Sequence, residues 1–296
     1  MSSALPEDVV DPVLREKIRP VLNRLESLPT LPVVVTKILN LVEDPKSTGQ
    51  QVAEAVGMDQ AMVAAVLKIV NSPFYGLNRR ISSVNHAILL LGFRTIRNMA
   101  LSATLLTNFG SASSNRKFDH ALFWRHSIGC ACTARLLGKR LRLVDPEEAF
   151  LAGLIHDMGR IVFDHYFATE FARVLERTQA GEPLLLVERE VFGVDHATVG
   201  RLVAQKWNFP PGVAEAIGAH HEPSRAEKAG SLAAVVHVAD ELSHRVFSGD
   251  DTPAMRGPFD PTVMERIGLS AELAASLAPE LEAELEKAQV FLDLLQ

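Results

Sequence analysis

Histidine and aspartate fall together in this sequence in a way that could do chemistry. His156-Asp157 stands in GLIHDMGR, His220-His221 in AIGAHHEP, His196 in VDHATVG, His126 in FWRHSIG and Asp240 in HVADEL. Imidazole and carboxylate are ligands that divalent first-row metals such as Fe, Mn and Zn favour. Two such ions about 3.5–4 Å apart activate a water for phosphoester hydrolysis. Five histidines and two aspartates, spread over several segments, suit a mono- or dinuclear site of that kind. Adjacent residues of a helix point about 100° apart, so a neighbouring pair can bracket one ion or touch two. Each member also has an ordinary use. Asp157 can pair with Arg160, His220-His221 can complement the C-terminal end of a helix dipole, and His237 with Asp240 has the spacing of a surface pair. Spacing alone leaves both uses open.

The segments that must carry these residues read as helices, because apolar residues recur at three and four along nearly the whole chain. Leu14, Ile18, Val21, Leu22 and Leu25 make one stripe; Val33, Ile38, Leu41 and Val42 make another, after Pro32 with Thr30 as its cap. The spacing predicts helices over Thr48–Val56 and Gln60–Val70, from Ser82 or Ser83 to Leu91, and over Phe93–Leu106. Beyond the polar run GSASSNRK, from Gly110 to Lys117, it predicts Ala121–Leu141, Pro146–Phe163, Glu170–Gln179 and Leu184–Phe192. His196–Trp207, Pro211–His221 and Ala229–Phe247 follow, and Ser270–Leu295 reads as one amphipathic segment packing on its own domain. The expected fold is all-α, a multi-helix bundle. Its expected parts are a tail (1–18), an N-terminal helical subdomain (19–112), a helical core (118–247) and a C-terminal helical extension (258–296).

Composition removes several function classes. Thirty basic against thirty-six acidic residues leave a net charge of −6, so no global pull toward nucleic acid or anionic lipid exists. Thr48–Val70 has helix-turn-helix length, with Gly57 in the turn, yet its second helix offers only Lys68 as a cation. It reads as a packing unit, and DNA is disfavoured as a partner. An aromatic content of 6% also disfavours a single-strand stacking platform. Apolar runs such as Leu184–Val187 and Leu232–Val236 fall far short of the roughly 18 residues of a membrane span. The start, MSSALPEDVVDP, lacks the basic residues and apolar run of a secretory signal. Cys130 and Cys132 cannot build a disulfide scaffold, so a cytoplasmic location is expected. Cys130 lies four residues after His126 and reads as a small buried residue rather than a ligand.

The ordered series His126, His156-Asp157, His196, His220-His221, Asp240 resembles that of the HD superfamily of metal-dependent phosphohydrolases, nearest its HD-GYP branch. A narrower resemblance, to the HDOD domain, rests on several motifs: LPTLPVVVTKILNLVEDPKST, VLKIVNSPFYG and ISSVNHAILLLGFRTIRNMAL in the first half, then FWRHS, EEAFLAGLIHDMGR, EREVFGVDHATVG, KWNFP and HHEP. It runs from about Arg19 to Phe247 and implies an HD-like helical core with an added N-terminal helical subdomain. By that likeness His126, His156, Asp157, His196, His220, His221 and Asp240 are the expected metal ligands. Arg160 falls where HD-GYP enzymes have a phosphate-contacting Lys; together with Asp157 it would be the catalytic pair if the chain is an enzyme. The HHEPSRAEKAG segment replaces the Gly-Tyr-Pro loop that handles cyclic dinucleotide. Leu122 stands where some relatives place a Glu, so a third metal is not expected. HDOD proteins are regarded as regulatory, which implies a bacterial signal-transduction protein that binds a protein or nucleotide partner. The alternative is a metal-dependent phosphohydrolase of the cyclic-nucleotide phosphodiesterase type.

Overall fold

The computed structural model describes residues 19–25, 31–43, 47–110, 117–247 and 260–295, and among them no strand occurs. The first part of the chain forms α1 (19–25), α2 (Val33–Glu43), α3 (Gly49–Gly57), α4 (Gln60–Val70), α5 (Val84–Leu91) and α6 (Phe93–Phe109). The central part forms α7 (His120–Leu141), α8 (Pro146–Ile155), α9 (Met158–Tyr166), α10 (Ala168–Gln179), α11 (Leu184–Phe192), α12 (His196–Lys206), α13 (Pro211–Ala219), a single 3₁₀ turn (Pro223–Arg225) and α14 (Gly230–Phe247). The last part forms α15 (Pro261–Ile267), α16 (Ala271–Ser276), α17 (Ala278–Lys287) and α18 (Gln289–Leu292). The expected all-α bundle is the one found.

Local chemistry starts these helices where it should. Thr48 and Gln51 close a capping box on α3, and Asp59, Ser83, Asp119, Asp145, Asp195 and Asp260 each accept from the first turn of the helix they precede. Between α5 and α6, Gly92 takes φ 83°, a conformation that a side chain resists. The centre of the core is α7, whose Ser127–Gly138 run is buried throughout and rich in small residues. Glycine keeps its neighbour close: a Cβ on Gly153 of α8 would stand 2.9 Å from Ala131 Cα. That approach sets the spacing between the backbones that carry His126 and His156.

The N-terminal helices join the core through the turn after α4. Phe74 packs against Phe150 and Phe291 with ring centroids 5.5 and 5.2 Å apart. Arg135 of α7 lies over Phe74, 4.3 Å from its centroid, and its Nε donates to Glu147 at 2.7 Å. Tyr75 donates its hydroxyl to the same carboxylate at 2.7 Å. Three stretches of chain thus share one buried charge-assisted cluster. The C-terminal helices also pack on their own chain, with Leu281 and Phe291 buried. Thr48–Val70 forms a helical hairpin whose Val52, Val56, Val66 and Ile69 are fully buried, as a packing unit requires.

At four places periodicity misled. The stretch Pro146–Phe163 is two helices, broken at His156-Asp157, where Asp157 takes φ −96° and ψ 10°. Both halves are apolar, so the hydrophobic period runs through the break without registering it. Likewise α13 stops at Ala219, and His220-His221 occupy the turn beyond. Ser270–Leu295 divides into α16, α17 and α18, because each piece buries its own apolar face around the core. Val33, counted in the apolar stripe of α2, is 78% exposed. The expected tail at 1–18, the cap at Thr30 and residues 111–116 of the polar run lie outside the described residues. Among the described residues no helix is long and apolar enough to cross a membrane.

Candidate metal centre

Five elements bring the histidines and aspartates to one place. α7 supplies His126, the α8–α9 turn His156 and Asp157, the first turn of α12 His196, the end of α13 His220 and His221, and α14 Asp240. The break at His156-Asp157 is what allows consecutive side chains to face the same pocket. Another close backbone contact holds α9 on α12, since a Cβ on Gly159 would stand 2.1 Å from His196 O.

Asp157 lies at the middle. Its Oδ1 is 3.0 Å from His196 Nε2, 3.6 Å from His156 Nε2 and 3.8 Å from His220 Nε2. His221 Nε2 sits 2.9 Å from His196 Nε2. On the other side, Asp240 Oδ1 is 3.0 Å from His126 Nε2 and 3.5 Å from His156 Nε2. All seven residues singled out in the sequence therefore converge. Asp157 with His196, His220 and His221 makes one compact donor group, and Asp157 with His126 and His156 makes a second.

The ring nitrogens are oriented from behind. Nδ1 of His156 is 2.8 Å from Gly153 O, and Nδ1 of His220 is 2.6 Å from Ile217 O. A carbonyl only accepts, so each Nδ1 carries a proton, and in the neutral ring each Nε2 presents its lone pair to the pocket. His196 is pinned twice by Glu188, whose Oε2 accepts from its backbone N–H at 2.9 Å and lies 2.7 Å from its Nδ1. Asp195 caps α12 through Thr198 N–H at 2.9 Å and is gripped by Arg189 at 2.7–2.8 Å. Carboxylates and carbonyls behind metal-ligating histidines are the usual orienting partners of such sites.

The electrostatics call for positive charge. Burial works against ionising Asp157 and Asp240, yet the surrounding imidazoles, and Arg160 beside Asp157, hold both well below the usual carboxylate range. Burial also opposes charge on His196, but Glu188 and Asp157 overcome it and raise the imidazole to about 10. His220 goes the other way: burial, reinforced by His156 and His196, lowers it to about 3. Its Nε2 is buried without a hydrogen-bond partner among the described residues. An unpartnered, neutral, fully enclosed imidazole nitrogen facing carboxylates is costly unless something electrophilic meets it. A divalent cation fits that description, and the N/O donor set is of the kind first-row metals take.

Arg160 turns its Nη1 onto Asp157 Oδ2 at 2.8 Å, and its guanidinium carbon lies 5.7 Å from the Phe118 centroid. Cys130 is buried, as expected, and burial raises its thiol pKa. The pairing of His237 with Asp240 does not form; His237 Nδ1 instead meets His220 O at 2.7 Å. Glu188 and His244 were missed. His244 stacks on His126 with ring centroids 4.1 Å apart, and its Nε2 is 3.4 Å from Asp240 Oδ1. Its position one helical turn after Asp240 was the available signal.

Comparison with known proteins agrees with this architecture. An uncharacterized protein of Treponema pallidum is 26% identical over 267 residues, which is 88% of this chain and 51% of that one. This chain thus spans about half the length of that relative. Ribonuclease Y of Chlorobaculum tepidum is 33% identical over 119 residues, 40% of this chain and 17% of the enzyme. The crystal structure of an HDOD domain protein with unknown function from Geobacter sulfurreducens superposes with a TM-score of 0.77 at 25% identity, covering 94% of this chain and 97% of that one. The profile of the HDOD domain matches residues 28–223, from ahead of α2 through the paired histidines. On that match, with an all-α fold to support it, the chain belongs to the HDOD domain family.

Proposed function

We propose that this chain is a regulatory protein of bacterial signal transduction. Its His/Asp pocket holds a divalent transition metal (Fe, Mn or Zn), and it acts by engaging a protein or nucleotide partner. The observation that carries the metal is the pair of donor groups sharing Asp157. What favours binding over turnover is the HHEPSRAEKAG segment, which stands in place of the loop that handles cyclic dinucleotide in the HD-GYP enzymes this chain resembles. His126, His156, Asp157, His196, His220, His221 and Asp240 would hold the metal. A bound ion would supply Lewis acidity and a water of lowered pKa. Around it, Glu188 orients His196, while the carbonyls of Gly153 and Ile217 fix the tautomers of His156 and His220.

The second reading is a metal-dependent phosphohydrolase, with Asp157 and Arg160 in the reacting site. Arg160 favours it, since a guanidinium held at 2.8 Å on a ligand carboxylate keeps positive charge where a phosphoryl group would sit. The partial likeness to ribonuclease Y points the same way. Metal analysis of the purified protein, followed by a panel of phosphomonoesters and phosphodiesters including cyclic dinucleotides, separates the two. Bound metal without metal-dependent turnover is the expected result. Turnover abolished by Asp157→Ala would make the phosphohydrolase reading the right one. Failure to retain or take up any of Fe, Mn and Zn would end the metal reading.

A further inference from the structure

We infer that His244 is an additional protein ligand at the Asp240 end of the pocket, closing a coordination position that a catalytic metal would leave to water or substrate. This rests on the metal reading above and goes beyond the seven residues that reading uses. Asp240 Oδ1 has three imidazole nitrogens about it: Nε2 of His126 at 3.0 Å, of His244 at 3.4 Å and of His156 at 3.5 Å. One donor atom from each of His126, Asp240 and His244 lies within 4.8 Å of the others. The His244 ring stacks on His126 at an interplanar angle of 26°, and the Nε2 atoms of the two rings lie 3.4 and 3.0 Å from that one oxygen. Asp240 and His244 are four residues apart on α14, so consecutive turns present both donors on one face.

The position of His244 gives the extra ligand its consequence. His156 is fully buried, whereas the side chain of His244 is 22% exposed, so it stands on the outer side of the cluster. Metal sites whose positions are all taken by protein donors are structural, and catalytic ones keep a position open. On α7 the residue one turn before His126 is Leu122, which has no donor atom. The additional donor comes from α14 instead, on the side from which water would approach. His126 Nδ1 is buried with no hydrogen-bond partner among the described residues, so stacking on His244 also helps hold this ring.

Stacking and ligation are separable by experiment. Mn²⁺ is titrated into the metal-free protein and its His244→Ala and His244→Phe variants, reading affinity and the water proton relaxation rate per bound ion. The Phe variant keeps an aromatic ring over His126 and removes only the donor. Both variants are expected to bind the ion at this end at least about tenfold more weakly and to show faster water relaxation, as water replaces the imidazole. Circular dichroism on the metal-free forms checks that each is folded; should the Phe variant misfold, the Ala variant carries the relaxation test alone. Wild-type affinity and relaxation in His244→Phe would overturn the assignment and leave His244 a stacking support. Weaker binding with unchanged relaxation would also overturn closure. If wild type binds no Mn²⁺, Fe²⁺ or Zn²⁺, the metal reading itself fails, a result distinct from either of these.

Discussion

The two ends of the pocket use the same residue types but are built differently. At the His196 end, the first ligand is fixed by Glu188 at ring and backbone, His220 by Ile217 O, and α12 by the Asp195 cap with Arg189 behind it. At the His126 end, His156 is fixed by Gly153 O, but Nδ1 of His126 has no hydrogen-bond partner among the described residues, and that ring is held by its Nε2 contact with Asp240 and by stacking on His244. Hydrogen bonds behind a ligand hold a ring to a narrow range of directions, whereas stacked rings can slide. The comparison teaches that one end is a rigid receptor for an ion and the other an adjustable one. With two ions offered, the His196 end should fill first.

The largest effect should follow from removing what the two ends share. Asp157→Asn keeps the volume but loses the charge that His156, His196 and Arg160 all face, so ions at both ends should be lost together in metal analysis. Retention of an ion at either end would break the claim that Asp157 joins them. A smaller and one-sided effect is expected from Glu188→Gln. It should weaken metal at the His196 end by about 10–100-fold while leaving His126-end binding near wild type, read as one shifted phase in a two-phase titration. Equal weakening of both phases would show that the ends are not independently built.

Much of this was legible before any coordinates. The 3.6-residue period gave the helices, and Ser83 ahead of α5 and Pro146 at the head of α8 marked two of their starts, because helix starts are local chemistry that a few neighbouring residues decide. The histidines and aspartates were legible by type and order. The break at His156-Asp157 was not, because it depends on what α8 and α9 pack against and not on a local breaker. Glu188 was hidden in EREVFG, where a charged residue reads as a solvated face, yet it is fully buried against His196. His244 reads as a basic residue near a helix end, where the dipole alone would account for it. Glu188 takes its role from His196 on another element, and His244 takes part of its role from His126 on α7, although it shares α14 with Asp240.

The smallest effect concerns the scaffold of the rigid end alone. Asp195→Ala removes the N-cap of α12 and the acceptor that Arg189 holds, and should cost about 0.5–2 kcal/mol of stability at neutral pH. Burial works against the charged form of Asp195, but the Thr198 N–H and hydroxyl and the Arg189 guanidinium outweigh it and depress its pKa. A carboxylate depressed on folding contributes its full stabilisation above the unfolded-state value and loses it as pH falls through the folded one. The gap between wild type and variant in urea melts should therefore be constant from neutral pH down to the ordinary aspartate range, and narrow below it. Metal affinity at the His196 end should fall less than in Glu188→Gln, because Glu188 still holds the ring and backbone of His196 when the cap is gone. If the cap variant instead loses that ion as completely as Glu188→Gln, the rigidity of this end comes from the start of α12 and not from the carboxylate behind the ring.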